Sequence, residues 1–222
     1  MCNFCPTTER DPKAPSLRTG WRAKSLANVT ATDEVSMRDA LDADKRALLS
    51  ELGPVILEIG PGTGPNFAYY APNTHVIGVE PNAFVQPELE RKVEAFSGTF
   101  ELRVGTAEAL DLPDNSVDAV VSTMVLCSVD DVAGALAEIH RVLKPGGRFA
   151  FLEHVVADGS PLKVLQYAAV PFWRTFGDGC CPVRRTHDDI DAAGFAEVNY
   201  RKVRYPFPIP VSATCIVGTA VK

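Results

Sequence analysis

The sequence has little of two features that mark large classes of proteins. It has no excess of basic residues, because 22 Lys and Arg stand against 28 Asp and Glu and the net charge is −6. A general nucleic-acid binder carries a basic face, so we predict no nucleic-acid partner. The longest stretch without a formal charge, Tyr205–Val221, contains three prolines and is shorter than the ~20 apolar residues of a membrane-spanning helix.

Cysteine is also sparse, with six residues in a chain of 222. Disulfide-stabilised secreted domains have denser cysteines in shorter chains, and the first residues here contain no apolar secretory segment. We therefore predict reduced thiols and a cytoplasmic location. The CxxC pair Cys2 and Cys5 and the adjacent Cys180 and Cys181 are spaced poorly for a zinc site, so we predict no metal.

The chain length predicts one main domain. Residues 1–30 are polar and contain three prolines, and we interpret them as an N-terminal arm before a single domain over 31–222. Short apolar runs predict strands at Val55–Ile59, His75–Val79, Phe100–Val104, Val117–Ser122 and Arg148–His154. Helices are predicted from Asn66–Tyr70 onward, at Asn82–Phe96, at Asp130–Leu143 and at Arg184–Ala193.

This alternation predicts an α/β fold with a Rossmann-like, doubly wound parallel sheet. The end of the sequence breaks the pattern, because strands near Glu197–Arg204 and Thr214–Val221 follow each other with no helix between them. We expect these two strands to form an antiparallel pair at the edge of the sheet, which then has about seven strands.

The first predicted strand runs directly into a glycine-rich turn that contains Gly60, Gly62 and Gly64. Glycines let the backbone approach a ligand closely, and a following helix N-terminus offers N–H donors. The spacing GxGxG differs from the GxGxxG of dinucleotide binders, and no Gly-Lys-Ser/Thr follows, so the turn is not a phosphate-binding P-loop. Glu58, just before the turn, could orient the turn or offset a cationic ligand.

Glu80 ends the second predicted strand, ~20 residues beyond the glycines, where an acidic side chain typically accepts hydrogen bonds from ribose hydroxyls. The alternative is that both features are only structural, with the glycines forming a tight turn and Glu80 a solvated acid at a helix start. The combination with the glycine turn favours a nucleoside-containing ligand, because the two features together are more specific than either alone.

On these motifs the chain resembles class I S-adenosylmethionine-dependent methyltransferases over about residues 50–222. The block Leu143-Lys144-Pro145-Gly146-Gly147 is also similar to the family. The resemblance implies S-adenosylmethionine as cofactor, with S-adenosylhomocysteine as its product. It also implies a set of cofactor-binding residues: Glu58, Gly60, Pro61, Gly62, Gly64, Glu80, Pro81, Thr106, Ala107, Glu108, Thr123 and Val125.

In that family the turn after the third strand holds the adenine. Many relatives have Asp where this chain has Thr106, so the adenine contact is expected from the Ala107 backbone or from Glu108.

Four separated blocks resemble the methyltransferase-like protein 7 group of alkyl thiol methyltransferases: Val125–Val129, Glu153–Val155, Gly177–Cys181 and Gly218–Lys222. This resemblance implies a small thiol or sulfide acceptor. Members of that group begin with an apolar membrane-associating segment, whereas this sequence begins with a polar arm.

A thiol acceptor must lose its proton, because a pKa of ~8.5 leaves only a small thiolate fraction at neutral pH. Candidate catalytic residues follow the strands, and we name His154 as proton acceptor, with Glu153 and Asp178 as further candidates. The alternatives are a strand-end histidine bonded to a backbone carbonyl and a plain turn aspartate. Because side chains alternate along a strand, only one of Glu153 and His154 is expected to face the pocket. We interpret Cys127 as a small buried hydrophobe.

Residues 161–181 form an apolar insert that we interpret as a lid over the acceptor, with a membrane-surface helix and a core helix as alternatives. The function predicted is methyl transfer by in-line displacement to a small thiol, by a monomer with no membrane span. Two alternatives stay open: N- or C-methylation of a phospholipid head group or quinone-like molecule, with peripheral membrane contact, and a non-catalytic partner protein of the same fold.

Overall fold

The computed structural model describes residues 24, 39–159, 161–176, 180–205 and 214–222. The predicted arm 1–30 lies outside these residues apart from Lys24. Helix α1 covers residues 39–49, and the remaining helices are α2 (Gln86–Val93), α3 (Val132–Val142), α4 (Leu162–Phe176) and α5 (Thr186–Asp191). The strands are β1 (Val55–Ile59), β2 (His75–Val79), β3 (Thr99–Arg103), β4 (Val117–Thr123), β5 (Leu143–His154), β6 (Glu197–Arg204) and β7 (Thr214–Val221).

The seven strands form one sheet in the order β3-β2-β1-β4-β5-β7-β6. The first five strands of this order pair in parallel, and β7 pairs antiparallel with both β5 and β6. The predicted fold class, a mostly parallel Rossmann-like sheet with antiparallel C-terminal strands, is therefore confirmed. Among the helices of the described ranges, none is both long enough and apolar enough to cross a membrane.

Each face of the sheet carries its own hydrophobic core. Neighbouring residues of β1 point to opposite faces, so Leu57 joins Phe149, Phe151 and α3, whereas Ile56 packs with α1. The two faces together bury every residue of β1 except the partly exposed Val55. Burial on both sides explains why this strand is a continuous apolar run, interrupted only by a glutamate.

The Asp118 side chain connects the starts of three neighbouring strands. Its carboxylate accepts a hydrogen bond from the Val55 backbone N–H at 3.0 Å and pairs with the Lys144 ammonium at 2.6 Å. The start of β1, the start of β4 and the start of β5 are thereby fixed relative to one another. The carboxyl-terminal ends of the same strands, where ligands bind in such sheets, lie at the opposite edge.

Two predicted helices differ from the structure. The segment after the glycine turn forms successive turns, with backbone bonds from Phe67 to Gly64 and from Tyr69 to Asn66, in place of the helix expected from Asn66. The expected helix Asn82–Phe96 divides into a 3₁₀ turn at Ala83–Val85 and α2. In the second case the Asn82 side chain accepts from the Phe84 N–H at 3.0 Å, which stabilises the tighter turn.

Candidate active site

The glycine turn after β1 uses backbone conformations that other residues rarely adopt. Gly60 and Gly62 have φ of +60° and +56°. A β-carbon at Gly60 would lie 2.7 Å from Val125 Cγ2, so this glycine is required by packing. At Gly62 the nearest atom to a β-carbon would be the Gly60 carbonyl oxygen at 4.0 Å, so this glycine borders open space. The turn therefore presents bare backbone to whatever occupies that space.

Glu80 lies directly after β2, and its carboxylate is hydrogen-bonded to the backbone of the glycine turn. Its Oε2 accepts the Gly62 backbone N–H at 3.0 Å and its Oε1 accepts the Asn82 backbone N–H at 2.8 Å. The side chain is only 6% exposed. A carboxylate oxygen accepts more than one hydrogen bond, so a carboxylate fixed in this way can also receive hydroxyl donors.

Glu58 lies beneath the turn, fully buried. It accepts hydrogen bonds from Asn66 Nδ2 at 2.7 Å and from the Tyr70 hydroxyl at 2.8 Å, and burial raises its pKa above the ordinary glutamate value. Asn66 Nδ2 also donates to Thr123 Oγ1 at 2.6 Å. Glu58 does not line the cavity described below. These bonds connect Glu58 to the segment after the turn, and its predicted role beside a cationic ligand stays a prediction.

The turn after β3 carries Thr106, Ala107 and Glu108, where the resemblance implies an adenine site. Thr106 bridges to Ala109, and Ala107 is almost fully buried. Glu108 Oε1 accepts the Asp130 backbone N–H at 2.8 Å, which fastens the turn to the start of α3. Ala107 and Glu108 both line the cavity described below, so the adenine contact expected from either of them stays a prediction.

These elements surround one cavity of about 560 Å³ at the carboxyl ends of β1, β2 and β4. Its size lies in the range of small-molecule sites. Eleven of the twelve predicted cofactor-binding residues line it: Gly60, Pro61, Gly62, Gly64, Glu80, Pro81, Thr106, Ala107, Glu108, Thr123 and Val125. The exception is Glu58.

The sequence analysis missed several wall residues, among them Lys45, Tyr69, Asn82 and Leu152. Lys45 comes from α1 and its ammonium lies 5.7 Å from the centre of the Tyr69 ring. No local motif marks this lysine, because it belongs to the helix before β1 and reaches the cavity only through the packing of that helix on the sheet.

The two candidate catalytic residues at the end of β5 have different surroundings. Glu153 is fully buried, and its Oε1 accepts the Ser122 hydroxyl at 2.6 Å and the Val125 N–H at 3.0 Å. Its Oε2 is buried with no hydrogen-bond partner. Burial, with the nearby Cys127 thiolate, raises the pKa of Glu153 to about 7. Neither Glu153 nor His154 lines the cavity, although the preceding Leu152 does.

His154 lies in a sulfur cluster. Its Nδ1 is 3.7 Å from Cys180 Sγ, and Cys180 Sγ is 3.4 Å from Cys127 Sγ. The hydrogen bond from Cys180, together with the nearby imidazole, holds the pKa of Cys127 well below its ordinary value. Burial disfavours the charged imidazole, but Cys127 and Glu153 together outweigh burial and raise the pKa of His154. Cys127 is buried, as predicted, and its sulfur also contacts Cys180 Sγ and the Ser128 hydroxyl.

Asp178, the third candidate catalytic residue, lies outside the described residues. Nearby, Cys181 is disulfide-bonded, so the prediction of reduced thiols throughout is wrong at this position. Cys127, Cys180 and Cys215 are reduced.

Within the predicted insert, α4 is anchored to the segment after β5. Gln166 Oε1 accepts the Ala157 N–H at 2.7 Å, and Gln166 Nε2 donates to the Val155 carbonyl at 3.2 Å. The described side chains of α4 take no part in the cavity wall. Its outer face exposes Val164, Leu165 and Phe172. The lid role stays a prediction.

A parallel sheet with this strand order, a glycine turn after β1 and a fixed acid after β2 around one cavity define an S-adenosylmethionine-dependent methyltransferase. The family model described as a methyltransferase domain matches residues 57–151. The chain is 36% identical over 195 residues to thiol S-methyltransferase TMT1B of Homo sapiens, covering 82% of this chain and 80% of that protein. It is 34% identical to thiol S-methyltransferase TMT1A of Homo sapiens over 85% of this chain and 82% of that protein. The chain therefore belongs to the thiol S-methyltransferase family.

Solved structures agree on the fold. A SAM-dependent methyltransferase from Thermotoga maritima superposes with a TM-score of 0.62 and 21% identity, covering 91% of this chain and all of that one. A SAM-dependent methyltransferase from Aquifex aeolicus superposes with a TM-score of 0.60 and 16% identity, covering 88% of this chain and 97% of that one.

Proposed function

We propose that this protein binds S-adenosylmethionine in the cavity and methylates a small thiol or sulfide. The observation that carries the proposal is that one cavity has two kinds of wall. One part is the glycine turn, Glu80 and the turn at Ala107, and the other consists of Met124, Ser128, Val129 and Leu152. A single space lined in this way can hold a nucleoside cofactor and a second, smaller molecule side by side.

The cofactor part of the wall fits S-adenosylmethionine in shape and chemistry. Gly62 leaves open the volume that a β-carbon would fill, and the buried Glu80 carboxylate is held in place by two backbone donors. In the proposal Glu80 accepts the ribose hydroxyls, and the backbone near Ala107 contacts the adenine. When bound, the cofactor supplies a methyl group on a positively charged sulfur, which a nucleophile can take by in-line displacement.

The acceptor part of the wall is mainly apolar. Met124, Val129 and Leu152 contribute apolar surface, and Ser128 adds a hydroxyl. Such a surface suits an alkyl thiol better than a charged head group, because an unpaired charge there loses its hydration. The same surface excludes water from the reacting atoms. The names of the family's relatives, which are thiol S-methyltransferases, support the same acceptor.

The rest of the proposal concerns the setting. We propose a monomer acting in the cytoplasm on small molecules, without nucleic acid, which the net charge of −6 supports. His154, Glu153 and Asp178 stay predicted candidates for the catalytic residues.

The test is transfer of labelled methyl groups from S-adenosylmethionine to a panel of acceptors. The panel contains sulfide, a short alkyl thiol, an aromatic thiol, a phospholipid amine and a quinone precursor. An alcohol with the same chain as the alkyl thiol is the matched control, because it differs only at the nucleophilic atom. We expect label in the thioether and none in the ether. Label in the lipid or quinone product, with none in any thioether, would replace the proposed function by the alternative acceptor.

A further inference from the structure

Three ligating side chains from separate segments meet in one buried cluster. Cys127 follows β4, His154 ends β5 and Cys180 follows α4. Cys127 Sγ and Cys180 Sγ are 3.4 Å apart, Cys180 Sγ and His154 Nδ1 are 3.7 Å apart, and the ligand atoms of all three residues lie within 4.8 Å of one another. All three residues are buried.

The separations between these atoms match the edges of a metal coordination tetrahedron. Zinc–sulfur bonds of about 2.3 Å and zinc–nitrogen bonds of about 2.0 Å place two sulfurs about 3.8 Å apart and a sulfur and a nitrogen about 3.5 Å apart. The observed separations are 3.4 Å between the two sulfurs and 3.7 Å between Cys180 Sγ and His154 Nδ1. Both are close to the tetrahedral values, and small side-chain movements would reach them. A disulfide would instead need its sulfurs at about 2.05 Å, so the pair would have to close by more than an ångström.

We propose that Cys127, His154 and Cys180 bind a thiophilic divalent cation of the Zn²⁺ type. Two thiol sulfurs and one imidazole form a soft donor set that favours such an ion over Mg²⁺ or Ca²⁺. Within the described ranges no carboxylate, histidine or further cysteine joins this group. The described part of the chain therefore offers three protein ligands, and in the proposal a water or another small ligand takes the fourth tetrahedral position, which is the pattern of catalytic zinc sites.

The backbone holds the ligands near one another without an ion. The Cys181 N–H donates to the Cys127 carbonyl at 2.9 Å. Arg184 Nη1 donates to the carbonyls of Leu126 at 2.6 Å and Val129 at 2.8 Å. These bonds join the segment that carries Cys180 to the loop that carries Cys127. The metal would thus enter a site whose ligand positions are already set.

The site borders the cavity. Ser128 lines the cavity wall, and its hydroxyl oxygen is 3.6 Å from Cys127 Sγ. A thiol that coordinates such a cation gives its proton to solvent and is held as a thiolate. The fourth position would then present the acceptor as a nucleophile at the edge of the cavity. This extension rests on the proposed thiol acceptor, whereas the metal site itself does not.

The proposal departs from the sequence prediction of no metal, and the reason is topological. That prediction weighed Cys2, Cys5, Cys180 and Cys181 for zinc spacing. Cys127 and His154 come next to Cys180 only because β4 and β5 are neighbours in the sheet.

The test is a titration of Co²⁺ into the reduced, metal-free full chain, followed by displacement with Zn²⁺. We expect one equivalent to give the thiolate-to-cobalt and ligand-field absorption bands of a tetrahedral site. Cys180→Ser and Cys127→Ser should each weaken binding about 100-fold or more. Cys215→Ser, a buried reduced thiol outside the trio, and the double variant Cys2→Ser/Cys5→Ser are matched controls that should keep the bands.

Absence of the bands in the wild-type chain overturns the proposal, and so does their loss in the Cys2/Cys5 control with retention in Cys180→Ser. Should both ligand variants unfold, X-ray absorption of the Zn²⁺-loaded wild type decides, because the proposal requires two sulfur ligands and one imidazole. Addition of a short alkyl thiol should shift the cobalt bands, and an unchanged spectrum removes the extension to the acceptor. Thiol methylation that persists at full rate in the metal-free chain leaves the proposed function standing and refutes the catalytic role of the ion.

Discussion

Replacement of Glu80 by glutamine removes a negative charge and nearly preserves the size of the side chain. The Glu80 carboxylate both holds the glycine turn and lines the cavity. The carboxylate accepts two backbone N–H groups, from Gly62 at 3.0 Å and from Asn82 at 2.8 Å. A glutamine side chain has one acceptor oxygen, so its NH₂ group would face one of these donors. A hydrogen bond to a charged group contributes about 1.5–3 kcal/mol, and one such bond is lost inside the protein.

The proposed ribose contact is weakened in the same variant. Loss of a charged acceptor for the hydroxyls should weaken binding of S-adenosylhomocysteine by about 1.5–3 kcal/mol, or roughly 10- to 100-fold in dissociation constant. Titration calorimetry measures this change, and urea denaturation measures the loss of folding free energy in the same preparation.

Glu58→Gln is the matched control. Glu58 is also a buried carboxylate with two donors, Asn66 and Tyr70, but it does not line the cavity. We expect it to lose folding free energy to a similar degree while changing affinity by less than about threefold. Equal loss of stability in both variants, with the Glu80→Gln affinity within about twofold of wild type, would refute the argument that Glu80 binds the cofactor.

Two further predictions concern the same end of the sheet. Gly60→Ala should lower stability by about 1–3 kcal/mol more than Gly62→Ala in urea denaturation, because its methyl group would lie 2.7 Å from Val125 Cγ2. Gly62→Ala should instead chiefly weaken cofactor binding in calorimetry, and an affinity unchanged from wild type would contradict the assignment of the open space beside Gly62 to the cofactor. Tyr70→Phe should cost about 1–3 kcal/mol of folding free energy, because it removes one of the two donors to the buried Glu58. A thermal melt unchanged from wild type would show that the Tyr70 hydroxyl does not stabilise the turn.

The parts of the fold that the sequence predicted correctly are those with a local signal. The strand Val55–Ile59 is a short apolar run bounded by Gly-Pro and Gly-Pro, and its predicted limits agree with the structure. Glu80 was recognisable because its distance from the glycines follows from the strand–turn–strand geometry. The antiparallel ending was predictable because no helix-length segment separates the last two strands.

The parts that sequence reasoning missed depend on contacts between distant segments. The pattern after Gly64 suggested a helix, but Asn66 and Tyr70 both turn inward to Glu58, and this inward pull favours successive turns. The sequence predicted that the fifth strand starts at Arg148, after the glycines. The strand β5 starts instead at Leu143, because Leu143 pairs with Val117 before a shift of register in the pairing of β4 with β5. The grouping of Cys127, His154 and Cys180 could not be read from spacing at all.

The strand order has a consequence for the moment at which the sheet is completed. Among the described strands β6 pairs with β7 alone, and β7 also pairs with β5, although β6 precedes β7 in the chain. During synthesis β6 therefore emerges before β7, the strand with which it pairs. The edge of β5 that pairs with β7 is also open until then. Until Thr214–Val221 emerges, the newborn chain carries an unpaired edge that can pair with another molecule. Pairing with β7 thus closes the edge of β5 at which such contacts between molecules form.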